Sequence, residues 1–204
     1  NVLLALSKIS DAIDSYDLAI KIQPDYELYF VRGNALFEVN RLNEALISYN
    51  EAINVKPNFS EAYNNKGLVL VQLKDFNDAI TSYDEAIKIN SNFISAKYNR
   101  GLALRSLGEI ENSIKTFKEI IKTQPKHLQS FYELALIYRS LKNYNLAVNY
   151  SEQILKIEPT HNKANLLSIK IRKDICDWAC YGKDYSYAIE KINNDEESIG
   201  PFSS

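Results

Sequence analysis

Gly33, Gly67 and Gly101 stand 34 residues apart, and Ala135 occupies the next step. A small residue returning at a fixed interval of this length marks one supersecondary unit used repeatedly. A unit that cannot bury its own apolar face must bury it against its neighbours. Other positions keep the same step. Ala45, Ala79 and Ala147 form one column, with Ser113 in the gap; Tyr49, Tyr83 and Phe117 form a second, ending in Ser151. Ala52, Ala86, Ile120 and Ile154 form a third. Pro57, Pro125 and Pro159 form a fourth, with Ser91 in place of the missing proline. Ala12, Tyr16, Ala19 and Pro24 keep the same internal spacing, so the chain opens inside an earlier, partial repeat over 1–24. The interval from Pro24 to Gly33 is one residue shorter than that from Pro57 to Gly67. The deletion falls where a loop is expected.

Within one step the pattern is helical twice. Tyr63, Gly67, Leu70, Val71 and Leu73 keep one helical stripe, and Phe76, Ala79, Ile80, Tyr83, Ile87 and Ile89 keep another. Lys74-Asp75 between them is a short polar turn, which makes the two helices antiparallel neighbours. Asn58 and Ser60 offer a capping oxygen to the next helix, and Pro57 punctuates the one before. The small columns predict close crossing of two helix backbones at Gly67 and Ala79, with the aromatic column filling the space between one pair and the next.

These residues resemble the tetratricopeptide repeat pattern. Tyr63, Gly67, Ala79, Tyr83 and Ala86 with Pro57 before them match it fully, as do Tyr29, Gly33, Ala45, Tyr49, Ala52 and Pro57. The third repeat is weaker, with Lys97, Ser113 and Ile120 at consensus positions; the fourth has Phe131, Ala135, Ala147 and Pro159. The resemblance covers roughly 1–173 and implies an all-α, right-handed superhelical solenoid of antiparallel helix pairs, four of them over 25–159. It also implies a scaffold that binds a protein or peptide partner along a concave face lined by the first helix of each pair. The residues on that face are Asn34, Asn64, Asn65, Tyr98, Asn99, Arg105, Tyr132 and Arg139. Amides carry both donor and acceptor, so Asn65 and Asn99 are read either as brackets for a peptide backbone or as ordinary exposed residues of an asparagine-rich chain. Tyr98 and Tyr132 would add rigid contact area, and Arg105 and Arg139 would pair with acidic groups. Members of the family that clamp a chaperone's C-terminal carboxylate use Lys and Arg on these helices; here only Asn34 and Asn65 fit, so that clamp is absent.

Composition removes several other functions. The net charge of −2 gives no basic footprint for nucleic acid, and no apolar run approaches the ~20 residues that span a bilayer. No phosphate-binding glycine loop or nucleophile elbow occurs, and no cofactor is expected. The two histidines, His127 and His161, follow prolines in equivalent inter-repeat loops and read as solvent-facing. Cys176 and Cys180, four apart on an expected helix, read as small packed residues without further metal ligands, and their spacing disfavours a disulfide. A cytoplasmic location is expected. The chain begins with Asn and contains no Met, which suggests an excised piece.

After Pro159 a fifth first helix is expected from Asn162 to about Lys173, with Ile169 where the small residue should stand. Residues 160–204 are read as a capping helix and a linker towards a further domain. Asp177-Trp178, Tyr181 and Pro201-Phe202, following a tetratricopeptide array, resemble the segment that joins repeats to the catalytic domain in peptide O-GlcNAc transferases and their SPINDLY-like relatives. The resemblance implies the substrate-selecting arm of an O-linked glycosyltransferase, itself without catalytic residues, whose inner asparagine ladder maps onto Asn65 and Asn99 and is interrupted at Val31 and Glu133. The alternative is a stand-alone adaptor in which Trp178 only covers the core. Val2, Leu3, Leu4 and Leu6 also raise self-association as an expectation.

Overall fold

The computed structural model describes residues 2–174, with side chains from residue 8 onward. Cys176, Asp177, Trp178, Cys180, Tyr181, Pro201 and Phe202 lie outside the described residues, as do the side chains of Val2, Leu3, Leu4 and Leu6. Every regular element among the described residues is a helix: α1 (Val2–Ile22), α2 (Tyr26–Glu38), α3 (Leu42–Val55), α4 (Ser60–Gln72), α5 (Phe76–Ile89), α6 (Ile94–Leu107), α7 (Ile110–Thr123), α8 (Leu128–Ser140), α9 (Tyr144–Ile157) and α10 (Asn162–Asp174). The chain forms two compact units, Asn1–Thr116 and Phe117–Ser204, with the division inside α7.

In the first unit each helix from α1 to α6 packs on the next, and α4 also touches α2 and α6. The core runs through Ile13, Leu36, Ala45, Tyr49 and Val69, then through Leu70, Ala79, Tyr83 and Ala103. In the second unit α9 packs on both α8 and α10, around Phe131, Ile154 and Ala164. The columns of the sequence are the core: Ala45, Ala52, Ala79, Ala86, Ile120, Ala147 and Ile154 are all fully buried.

The glycine column has a different cause from the expected one. A Cβ on Gly33 would stand 2.7 Å from the Tyr49 ring, and one on Gly67 would stand 2.5 Å from the Tyr83 ring. What limits the residue is therefore an aromatic side chain of the second helix in the same pair, and not a crossing of two backbones. Each tyrosine meets the glycine of its own pair and also packs towards the next, Tyr49 in one core cluster with Val69 of α4 and Tyr83 in another with Ala103 of α6. A larger residue at either glycine must displace a fully packed ring, at a cost of about 1–3 kcal/mol.

The turns inside the pairs also follow the repeat. Asn40, Lys74, Gly108 and Lys142, at the same 34-residue step, all have positive φ, between 58° and 90°. In each turn this residue's N–H reaches back to the carbonyl three before, and the next N–H reaches the carbonyl five before; Lys74 donates to Val71 at 3.0 Å and Asp75 to Leu70 at 2.8 Å. This is the Schellman closure of a helix end. Only Gly108 adopts the left-handed backbone without a Cβ penalty.

Helix starts depart from expectation. Neither Asn58 nor Ser60 caps α4: Phe59 takes the cap position and makes no side-chain bond there, while the Ser60 hydroxyl donates to Glu61. Asp25, Asp75 and Asn143 cap α2, α5 and α9 with their side-chain oxygens.

Candidate functional site

The first helices of the first unit bring four of the expected asparagines into one hydrogen-bonded chain. Asn99 Nδ2 on α6 donates to Asn64 Oδ1 on α4 at 3.0 Å. Asn64 Nδ2 donates to its neighbour Asn65 Oδ1 at 3.0 Å, and Asn65 Nδ2 donates to Asn34 Oδ1 on α2 at 2.9 Å. The Tyr49 hydroxyl, from α3, donates to the same Asn34 oxygen at 2.8 Å. The amides span three successive first helices and are committed first to one another. Asn64, expected on the open face, is buried, at 6% exposure; Asn34, Asn65 and Asn99 remain half-exposed.

The chain leaves chemistry unspent. Each inner amide uses one of its two N–H donors and one acceptor position. Among the described residues the Asn34 amide N–H group at one end and the Asn99 carbonyl oxygen at the other have no protein partner. A partly buried strip of aligned amides can therefore exchange hydrogen bonds with an extended backbone while its internal bonds hold it in place. Tyr98, beside Asn99 on α6, and Arg105, in the last turn of α6, are half-buried and engaged with other protein groups.

Tyr49 belongs to the site although its sequence position suggested only packing. Burial pushes its phenol up to about 12, so it acts as a neutral donor. The same step in the next pair is not satisfied. Burial raises the Tyr83 phenol further, and its hydroxyl has no hydrogen-bond partner among the described residues. The residue one step after Asn34 is Leu68, which offers no acceptor. Comparing Asn34 with Leu68 along the repeat was the signal that could have revealed the difference.

On α8, in the second unit, Tyr132 is half-buried. Arg139 was expected to meet an acidic partner; instead its Nε donates to Asp174 of α10 at 2.7 Å, so its charge is already paired within the chain. Glu133, which interrupts the asparagine ladder, is buried at 8% exposure.

The histidines are helix caps and not solvent-facing loop residues. His127 Nδ1 accepts the Ser130 N–H at 3.2 Å, and His161 Nδ1 accepts the Ala164 N–H at 3.1 Å. Burial holds His127 below the usual imidazole range, which suits a ring nitrogen that must keep its lone pair. Phe59 and Phe93 precede them in the same column. Phe59 is absorbed in an aromatic cluster, edge-on to Tyr26 at 5.2 Å and tilted against Phe30 at 4.8 Å, with Lys56 Nζ 4.0 Å above the Tyr26 ring. Among the described residues no group of His, Cys, Asp and Glu is placed to hold a metal ion, and no helix is long and apolar enough to cross a membrane.

Family models match most of the array: TPR repeat over residues 33–74, and Tetratricopeptide repeat over 60–93, 94–127 and 128–161. No curated protein matches the chain. Among solved structures, MamA from Desulfovibrio magneticus RS-1 is 18% identical over 83% of this chain and 96% of that one, with a TM-score of 0.72. YrrB, a TPR protein with an unusual peptide-binding site, is 22% identical over 85% and 88%, with a TM-score of 0.68. The first TPR of Spaghetti (RPAP3), bound to the HSP90 peptide SRMEEVD, is 22% identical over 58% and 94%, with a TM-score of 0.55. At these identities the likeness is one of fold.

Proposed function

Because the chain belongs to the tetratricopeptide repeat family, we propose that it is a non-catalytic scaffold that holds an extended peptide segment of a partner protein along the first-helix face of α2, α4 and α6. The observation that carries this reading is the amide chain from Asn34 through Asn65 and Asn64 to Asn99. The chain crosses three helices and keeps donors and acceptors on half-exposed side chains. Backbone amides of a peptide match such a strip without regard to side chains, so selectivity comes from neighbours such as Tyr98 and Arg105. In the second unit, Tyr132 on α8 offers contact area of its own. Protein binding agrees with what YrrB and RPAP3 do, although neither is close enough in sequence to carry a ligand across.

The test is selection of peptides on the full chain from a displayed random library, followed by titration of one selected peptide against variants. Asn99→Ala, which removes the open acceptor, should weaken binding at least tenfold, about 1.4 kcal/mol. Thr81→Lys, on the exposed side of α5, should leave it unchanged. Equal effects from the two variants would remove the groove from the reading.

A finer reading makes the array the substrate-selecting arm of an O-linked glycosyltransferase. Its support is the sequence of the segment Asp177-Trp178, Tyr181 and Pro201-Phe202. Reading the gene past Ser204 tests it. A glycosyltransferase domain supports the arm, and a stop codon or a different domain supports a stand-alone adaptor.

A further inference from the structure

Two donors converge on one oxygen in the pair α2–α3, and the same two find no such oxygen in the pair α4–α5. On α2, Asn34 Oδ1 accepts from the Tyr49 hydroxyl at 2.8 Å and from Asn65 Nδ2 at 2.9 Å. One repeat on, the same three places hold Leu68, Tyr83 and Asn99. The aromatic ring keeps its pose: a Cβ added at Gly33 would stand 2.7 Å from the Tyr49 ring, and one added at Gly67 would stand 2.5 Å from the Tyr83 ring. The Tyr83 hydroxyl is thus carried to the side of α4 where Leu68 stands, as that of Tyr49 is carried to Asn34. The Leu68 side chain has no oxygen to offer. Asn99 Nδ2 turns instead to Asn64 Oδ1 at 3.0 Å, while the Tyr83 hydroxyl stays buried with no partner among the described residues. Its ring shares a core cluster with Leu70, Ala79 and Ala103, whose side chains carry no acceptor. Burying an unpaired hydroxyl is costly, and packing does not require it. The next residue of the column is Phe117, which is fully buried without one.

We propose that the missing acceptor is an amide carbonyl oxygen of the bound peptide, which takes the place that Asn34 Oδ1 holds one repeat earlier and receives the Tyr83 hydroxyl. The proposal rests on the reading of the amide strip as a peptide groove, and it adds a donor that the strip does not contain. Asn99 Nδ2 spends one N–H on Asn64 and keeps a second, so the ligand oxygen has two donors at hand, as the Asn34 oxygen has. Leu68 is half-buried; binding turns its side chain aside, a change of rotamer that leaves α4 in place. The oxygen is a neutral one. A carboxylate would have to shed its water beside Leu68, Leu70 and Ala79, whereas an amide oxygen loses little. Burial keeps the Tyr83 phenol in its neutral, donating form.

A hydroxyl held for a ligand differs from one held for packing in a measurable way: removing it should move stability and affinity in opposite directions. The probes are peptides selected on the full chain from a displayed random library, labelled and titrated by fluorescence anisotropy. Tyr83→Phe should raise the urea midpoint and weaken binding about tenfold or more, so that the loss is not one of folding. Leu68→Asn, which supplies the acceptor from within, should weaken binding as well. Replacing each Asn or Gln of the peptide by Leu locates the oxygen. If one replacement abolishes the difference between the wild type and Tyr83→Phe, the acceptor is that side-chain amide; if none does, it is the peptide main chain. Unchanged affinity in Tyr83→Phe, with Asn99→Ala still weakening binding, overturns the Tyr83 contact and leaves the groove standing. A chain that selects no peptide overturns both.

Discussion

Tyr49 and Tyr83 occupy the same place in consecutive repeats, yet losing their hydroxyls should change stability in opposite directions. Tyr49 is 1% exposed and donates to Asn34 Oδ1 at 2.8 Å. Tyr49→Phe removes that bond but leaves the Asn34 oxygen its second donor, Asn65. No acceptor is orphaned, so the loss is that of one ordinary hydrogen bond, about 0.5–1.5 kcal/mol. Tyr83 is fully buried, and its hydroxyl is unpartnered among the described residues. Burying such a group costs about 1–3 kcal/mol. Tyr83→Phe removes that cost at the expense of a small void, so it should stabilise by roughly 1 kcal/mol. The two variants should therefore separate by about 2 kcal/mol, measured as shifts of the urea midpoint at constant slope. A double-mutant cycle sharpens the comparison. Leu68→Asn supplies the acceptor that Asn34 supplies to Tyr49, so it should be better tolerated when Tyr83 is intact than in the Tyr83→Phe background. If Tyr83→Phe destabilises as much as Tyr49→Phe, the Tyr83 hydroxyl is bonded and the reasoning from Leu68 fails.

Two further outcomes are expected. Lys74→Gly should stabilise by about 1 kcal/mol, because φ at Lys74 is 64° and the left-handed backbone costs a Cβ-bearing residue about that much; Gly108→Ala should lose a similar amount, since nothing but the backbone opposes the new Cβ, and unfolding midpoints that move the other way would refute it. His127 lies below its usual 6.5 because burial disfavours the charged ring, and its Nδ1 lone pair caps α8, so its contribution is present above pH 6.5 and is lost as pH falls through the depressed folded value. That loss is about 1 kcal/mol for a cap. His127→Asn keeps an acceptor without titrating and should flatten the dependence of the unfolding midpoint on pH between about 7.5 and 5, whereas an unchanged slope would show that His127 is not the titrating cap.

The parts of the structure that depend on a residue's own column could be read from the sequence. Gly33, Ala45, Tyr49 and Ala52 are set by packing that repeats, so their period gave the helix pairs and the core. The parts that depend on differences between columns could not. The amide chain exists because Asn34 and Asn64, each at its own place in the repeat, meet Asn65 and Asn99, which share a third, across helices. Asn65 and Asn99 were read against a ligand because nothing local shows that side chains from neighbouring repeats reach one another. Capping misled for a related reason. Asn58 and Ser60 look like caps, but α4 begins so that Phe59 holds that place, and the column only becomes recognisable at His127 and His161. The left-handed turns were hidden because three of the four residues are not glycine.

The two kinds of connection in the array respond differently to changes in chain length. Inside a pair, the left-handed residue and its two backward N–H bonds fix the turn geometry. One residue added after Lys74 would part the Asp75 N–H from the Leu70 carbonyl. Between pairs the connection is loosely specified: three residues separate α1 from α2, and four separate α3 from α4, with intact packing on either side of both. The chain thus has its own cutting points, at Pro24, Pro57 and their equivalents. Whole pairs can be spliced in or out there as cassettes, and each new junction inherits a surface already shaped for its neighbour.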